Sequence, residues 1–216
     1  MKEALNFPTR SNILGYMIAG GQASRMGGVN KALVKLDGIP MGERVLKRLH
    51  VQCDRVWVSA NRDVEAFIAM GAECVLGDNF GTSFGPLAGL EALVGKLPSE
   101  IEWVLTAPCD VPYLPEGLVE FFASGLEQHR YDYVGDRTVP KIVTLSAGGH
   151  THNTIALIHR SLLPSIRPYL ARGDRKVGLW MQPYEPLVLP WNGDEAALEN
   201  VNDPQSLSRL QRHGAR

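Results

Sequence analysis

The sequence predicts a doubly wound α/β fold with a mostly parallel sheet, and three observations lead to that prediction. The chain has 216 residues, which suits one α/β domain. Its hydrophobic fraction of 44% is sufficient for an ordinary buried core. Short apolar runs alternate with segments of helical periodicity. Such alternation is typical of a parallel sheet whose crossover helices cover both faces.

The first half of the chain contains four strand-and-helix pairs. Apolar runs predict strands at residues 12–19, 55–60, 73–77 and 102–108. Helical periodicity predicts helices at residues 41–52, 62–71, 85–97 and, after Pro115, up to residue 126. The segment 85–97 has an early proline, which the first turn of a helix tolerates because its N–H groups have no helical partner.

The second half has a looser pattern, which predicts a small antiparallel β element. We expect β segments at residues 132–136, 141–147 and 152–160, two of which form a hairpin, and a late strand at 185–191. We expect helices at residues 161–173 and 175–182, and a final helix at 203–214 capped by Asp203. No linker divides the chain, so residues 1–216 are predicted to form a single domain.

Composition and charge exclude several classes of protein. The formal charge of −1 comes from 22 basic and 23 acidic residues, which argues against a nucleic-acid-binding surface. The cysteines Cys53, Cys74 and Cys109 form no CxxC pair, so neither a zinc site nor a disulfide framework is indicated. No segment has the pattern of a signal peptide or the length of a membrane span, and we expect a cytoplasmic protein without membrane contact.

The stretch "AGGQASRMGGVNK" at residues 19–31 follows the first predicted strand and indicates a phosphate-binding loop. Glycine lets the backbone approach a phosphate closely, with N–H groups turned inward. Arg25 can act as a forked donor and Lys31 as a point charge. The spacing matches neither the P-loop nor the dinucleotide fingerprint. A flexible turn with solvated charges is the alternative interpretation.

Two aspartates are expected at the carboxyl ends of strands, where open parallel sheets bind their ligands. Asp110 follows the strand at 102–108 and could hold Mg²⁺, or it could cap the next helix. Asp78 follows the strand at 73–77 and could contact a nucleotide, or it could form an Asx-turn. If Lys31 and Asp110 belong to one site, their side chains must face a shared cleft.

The glycine loop resembles the signature loop of the molybdenum cofactor guanylyltransferases, a family of nucleotidyltransferases. The resemblance continues in order through "SANR", "GPLAGL", "CDVPYLP", "TIAL" and "NVNDPQSL", so it covers nearly the whole chain. The paired glycines favour this family over relatives with an "AAG" loop. It implies that residues 12–128 bind GTP and that residues 129–216 bind molybdopterin.

The resemblance also assigns roles to individual residues. It implies Arg25, Lys31 and Asp110 as catalytic residues, with Mg²⁺ held by Asp110. It implies these binding residues for the nucleotide and the pterin: Ile18, Ala19, Gly20, Gly21, Lys31, Ser59, Asp78, Asp110, Asn200 and Asn202. The chain departs from the usual family pattern at two positions. The family often has an asparagine where this chain has Ser59, and it more usually has an aspartate where this chain has Asn30.

The implied reaction transfers GMP from GTP to the terminal phosphate of molybdopterin, with pyrophosphate as the second product. The alternatives are a cytidylyltransferase for the same pterin, a sugar-1-phosphate nucleotidyltransferase, and a nucleotide-binding carrier without catalytic activity. The further partners that the resemblance implies are molybdoenzyme apoproteins and molybdenum insertion proteins. We expect the chain to act as a monomer.

Overall fold

The computed structural model describes residues 6–20, 30–80, 84–132, 139–203, 205–208 and 210. Within them a mostly parallel sheet of seven strands has the order β5-β4-β1-β6-β8-β7-β9, and β2 pairs with β3 in a small antiparallel ribbon. The strands are β1 (Ile13–Ile18), β2 (Lys35–Leu36), β3 (Ile39–Pro40), β4 (Arg55–Ser59), β5 (Cys74–Leu76), β6 (Trp103–Pro108), β7 (Ile142–Ala147), β8 (His150–His159) and β9 (Leu187–Pro190). Strand β8 runs antiparallel to both of its neighbours, β6 and β7.

Helices cover both faces of the sheet. They are α1 (Met41–Gln52), α2 (Val64–Ala69), α3 (Pro86–Glu91), α4 (Leu118–Asp132), α5 (Ile166–Ala171) and α6 (Val177–Met181). Helices α1, α2 and α4 pack into one hydrophobic cluster, and α3, α5 and α6 pack into the other. In the part of the chain that the structure describes, none of the helices has the length and apolar character to cross a membrane.

Strand β1 lies at the centre of the sheet and contributes to both clusters. It is buried along its whole length. Because successive side chains of a strand point to opposite faces, Ile13 and Met17 pack with α1 and α4, while Leu14 and Tyr16 pack with α3 and α5. Parallel pairing with β4 on one side and β6 on the other fixes where the chain after β1 emerges.

The expected doubly wound α/β fold with a small antiparallel element is confirmed, and the β7–β8 hairpin is the expected antiparallel pair. Three local predictions were wrong, and one of them is the end of α4, which lies at Asp132 and not at residue 126. Helix α3 ends at Glu91, six residues before residue 97, and turns replace the last part of the predicted helix, where Gly95 has a φ of +75°. Asp132, predicted as β, is the last residue of α4, and residues 133–136 lie outside the described part of the chain.

The last described segment returns to the first half of the fold. Val201 and Leu210 are buried against Leu36, which belongs to β2, and Met41, which follows β3. The carboxylate of Asp203 accepts a hydrogen bond of 2.7 Å from the N–H of Ser206, as expected for the cap of the final helix. This packing holds residues 200–202 beside the carboxyl ends of β1 and β6.

Candidate active site

A cleft of about 260 Å³ opens at the carboxyl ends of β1 and β6. Because the chain proceeds from β1 to β4 and β5 on one side and then to β6 on the other, this is the switch point of the sheet, where open α/β folds bind ligands. The cleft is lined by Ile18, Ala19, Gly20, Asn30, Lys31, Pro86, Pro108, Cys109, Asp110, Thr154 and Asn200.

Lys31 and Asp110 share this cleft, as expected. The ammonium group of Lys31 lies 3.2 Å from Asp110 Oδ2, and the two side chains are 23% and 14% exposed. Lys31 also donates a hydrogen bond of 2.6 Å to Asn202 Oδ1. Asn200 donates to the other carboxylate oxygen of Asp110 at 2.9 Å. Both oxygens of the aspartate therefore have a donor.

Backbone hydrogen bonds fix the position of Asp110. Immediately after β6, the N–H of Cys109 donates to the carbonyl of Ile18 at 3.1 Å, which continues the pairing with β1 by one residue. The carbonyl of Asp110 accepts a hydrogen bond of 2.8 Å from the N–H of Val201. Asp110 is thus held between the end of β1 and the returning C-terminal segment.

Asp78 lies in a second polar cluster beside the start of the glycine loop. A methyl group added at Gly20 would lie 3.5 Å from Asp78 Oδ2. Asn61 donates to Asp78 Oδ2 at 2.9 Å and accepts from the Asp78 N–H at 2.7 Å. Ser59 donates to Asp78 Oδ1 at 3.3 Å. Burial raises the pKa of Asp78, and the hydrogen bonds from Asn61 and Ser59 partly oppose that rise.

The predicted site residues divide into three groups. One group lies at the cleft, formed by Ile18, Ala19, Gly20, Lys31, Asp110, Asn200 and Asn202. Asp78 and Ser59 lie next to it, and Ser59 is completely buried with its hydroxyl directed to Asp78. Gly21 and Arg25 lie outside the described residues. The chemical roles assigned to all these residues stay predictions.

Two residues that sequence reasoning did not select support the site. Asn61 holds Asp78 through both of its amide atoms. Thr154 lines the cleft from β8, the antiparallel strand beside β6. The segments "SANR" and "TIAL", which carry the family resemblance, contain these residues and are the signal that could have identified them.

Among the described residues, the site offers charge and hydrogen bonds but no prepared nucleophile. Burial raises the pKa of the Cys109 thiol to about 12, so this cleft residue stays protonated at neutral pH. In the described ranges, no three His, Cys, Asp or Glu side chains are grouped to bind a metal. Asp110 and the amide oxygens nearby are hard donors that suit Mg²⁺, which usually takes one or two carboxylates and completes its shell with phosphate and water.

The raised pKa of Asp78 predicts a pH dependence. An ionised carboxylate accepts stronger hydrogen bonds from a ribose or base than a protonated one does, so guanosine affinity should fall as the pH decreases through the raised pKa of Asp78. Asp78→Asn should bind guanosine weakly and without this dependence. Calorimetric titration with guanosine, which has no titrating phosphate, measures the affinity of each protein at several pH values. The same change of affinity with pH in the wild type and in Asp78→Asn would contradict the prediction.

Folding stability should change in the opposite direction. Because folding raises the pKa of Asp78, its contribution to stability is fully present below the unfolded pKa and is lost as the pH rises through the folded pKa.

Gly89 permits close packing of α3 against Ser59. A β-carbon at Gly89 would lie 2.3 Å from Ser59 Oγ and 2.9 Å from Ser59 Cβ, so Gly89→Ala must displace the strand residue that supports Asp78. We expect a loss of about 1–3 kcal/mol in stability and weaker guanosine binding. Gly125→Ala in α4 is the matched control, because the nearest atoms that its β-carbon would meet belong to the side chain of Leu189, away from Ser59 and Asp78. Guanosine binding of Gly89→Ala equal to that of the control would refute the link to Asp78.

Comparisons with known proteins show the family of this chain. Residues 15–187 match the family model described as the MobA-like NTP transferase domain. The chain is 34% identical to the molybdenum cofactor guanylyltransferase of Shewanella amazonensis over 90% of this chain and 93% of the relative. It is 35% identical to that of Serratia proteamaculans over 92% and 94%.

The fold also matches solved structures. The crystal structure of molybdopterin-guanine dinucleotide biosynthesis protein A from Archaeoglobus fulgidus superposes with a TM-score of 0.71, covering 94% of this chain and 98% of that one. The identity of 16% means that this likeness concerns the fold alone.

Proposed function

The chain belongs to the MobA-like NTP transferase family, whose relatives named above are molybdenum cofactor guanylyltransferases, and from this we propose that it transfers GMP from GTP to molybdopterin. The products are a molybdopterin guanine dinucleotide and pyrophosphate. The observation that carries the proposal is the shared cleft of Lys31 and Asp110 at the switch point of the sheet.

Charge is the main obstacle in this reaction. An oxygen of the acceptor's terminal phosphate attacks the α-phosphorus of GTP, and the bond from that phosphorus to the oxygen bridging to the β-phosphate breaks. The acceptor is already an anion near neutral pH, so it needs no strong general base. Two anions must nevertheless meet in line, and charge develops on the leaving pyrophosphate. Positioning and electrostatic stabilisation therefore supply most of the catalysis.

Different residues bind the triphosphate and the metal ion in the proposed reaction. Lys31 binds the triphosphate and offsets its charge, together with Arg25 of the same loop. Asp110 would hold Mg²⁺, with Asn200 donating to one of its carboxylate oxygens and Asn202 accepting a hydrogen bond from Lys31. When bound, Mg²⁺ neutralises phosphate charge as a Lewis acid.

Asn200 and Asn202 favour a specific place for the acceptor. They contact Asp110 and Lys31, so residues of the second half reach the nucleotide side of the cleft. In the proposed arrangement residues 12–128 bind GTP, residues 129–216 bind molybdopterin, and the two asparagines lie where the acceptor phosphate meets the nucleotide. An asparagine amide can both donate and accept, which suits the mixed edge of a pterin.

Product analysis tests this function. The chain is incubated with molybdopterin, Mg²⁺ and either GTP or CTP, and the products are detected by mass spectrometry. The proposal expects the guanine dinucleotide and pyrophosphate in equal amounts, with GTP preferred. Preference for CTP would indicate the cytidylyltransferase. Formation of a nucleotide sugar in a parallel incubation with a sugar 1-phosphate, with no dinucleotide from molybdopterin, would indicate the sugar-1-phosphate nucleotidyltransferase.

A nucleotide-binding carrier without catalytic activity is the alternative from another class. It would bind GTP and raise the melting temperature by mass action, by the equivalent of about 2.7 kcal/mol when the ligand is at 100 times its dissociation constant. It would form no dinucleotide. The paired placement of Lys31 and Asp110 favours the enzyme, because a carrier has no need of a metal-binding carboxylate beside the triphosphate.

A further inference from the structure

Asn30 connects the short helical turn that carries Lys31 to the segment after β4. Its Oδ1 accepts a hydrogen bond of 3.1 Å from the N–H of Ala32 and so caps the turn Lys31–Leu33. Its Nδ2 donates a hydrogen bond of 2.9 Å to Asp63 Oδ2. Asn30 is only 7% exposed. The cap requires an oxygen toward Ala32, which leaves the amide nitrogen to face Asp63.

Asp63 directs its carboxylate away from its own helix. It is the N-cap residue of α2, yet its side chain makes no capping hydrogen bond there. Its backbone adopts the left-handed conformation, with φ +57° and ψ +32°, which costs energy for a residue with a side chain. The carboxylate instead accepts from Asn30.

The segment of residues 59–63 therefore reaches both sides of the candidate site. Ser59 and Asn61 hold Asp78. Asp63, four residues after Ser59, holds Asn30 at the base of the Lys31 turn. An aspartate at position 30 could still cap the turn, but it would place a carboxylate oxygen against that of Asp63.

We propose that Asn30 and Asp63 form a matched pair that positions Lys31 for the triphosphate, so that the identity of residue 30 is set by the charge at residue 63. Both are positioning residues, since they act through Lys31. The consequence for nucleotide binding rests on the proposed function, whereas the effect on Lys31 itself does not.

The test exchanges the two groups. Asn30→Asp should weaken GTP binding about tenfold, a typical coupling for contacting residues, and leave guanosine binding unchanged. Asp63→Asn added to Asn30→Asp should restore the affinity, because the new amide at 63 donates to the new carboxylate at 30. The control adds Asp54→Asn to Asn30→Asp instead. This double variant has the same net charge, but Asp54 is exposed and pairs with Arg10, so the GTP affinity should not be restored.

A second readout needs no nucleotide. The rate at which an amine-acylating reagent modifies Lys31, followed by peptide mass spectrometry, should rise several-fold in Asn30→Asp and return toward the wild-type rate in the exchanged pair. Unchanged Lys31 labelling in Asn30→Asp, or equal rescue by Asp54→Asn, would overturn the inference. The wild-type chain could fail to bind GTP while the Lys31 labelling rates of the variants still follow this pattern. That outcome would contradict the proposed function alone and would support the positioning pair.

Discussion

Asp110→Ala should lower the turnover number by about a thousandfold or more and leave the dissociation constant for GTP within about threefold. The aspartate is assigned to Mg²⁺ and to charge developing during transfer, so its loss acts on the transition state more than on the bound ground state. Lys31 keeps its bond of 2.6 Å to Asn202 in the variant, so the phosphate-binding cation stays near its position.

The measurement is single-turnover formation of the guanine dinucleotide, with GTP affinity from calorimetry. Asp54→Ala is the matched control, because Asp54 is an exposed aspartate with its own partner, Arg10, and should leave both values unchanged. Unchanged turnover in Asp110→Ala would remove Asp110 from the mechanism. A parallel loss of GTP binding would instead assign it to ground-state binding.

Lys31→Ala should raise the dissociation constant for GTP by about ten- to a hundredfold and change that for guanosine by less than about twofold. Hydrogen bonds to charged groups contribute about 1.5–3 kcal/mol, which corresponds to this range. The variant also leaves the carboxylate of Asp110 without its cation, so the cleft repels the triphosphate more strongly.

Calorimetric titrations with GTP and guanosine check the difference between the two ligands. Lys47→Ala is the control, since Lys47 is 64% exposed on α1 and pairs with Glu43 one helical turn away. Equal losses for GTP and guanosine would show that Lys31 acts through the general shape of the site and not through the phosphates.

The sequence was sufficient to predict the fold class because the elements of its first half have strong local patterns. Strand β1 is buried on both faces and is therefore a continuous apolar run. Parallel strands place their carboxyl ends at one edge, and this placement, together with the family resemblance, led to the expectation that Lys31 and Asp110 share a cleft. The end of α3 was missed because its apolar pattern continues through turns after Glu91.

The finer parts of the site depend on contacts between distant segments, which no local pattern encodes. Asn200 lies 90 residues from Asp110 in the chain, and the packing of Val201 brings it there. Ser59 is buried at its strand position, and its hydroxyl reaches Asp78, 19 residues further along the chain. The pairing of Asn30 with Asp63 likewise follows from the packed turns and not from either residue's neighbours.

A crystal structure of the chain with Mg²⁺ and a GTP analogue that cannot transfer its nucleotidyl group is the most direct test of the central claim. The account predicts the triphosphate against Lys31, the cation on Asp110, and the guanosine toward Asp78. A triphosphate bound elsewhere, with the bond between Lys31 and Asp110 intact, would contradict it.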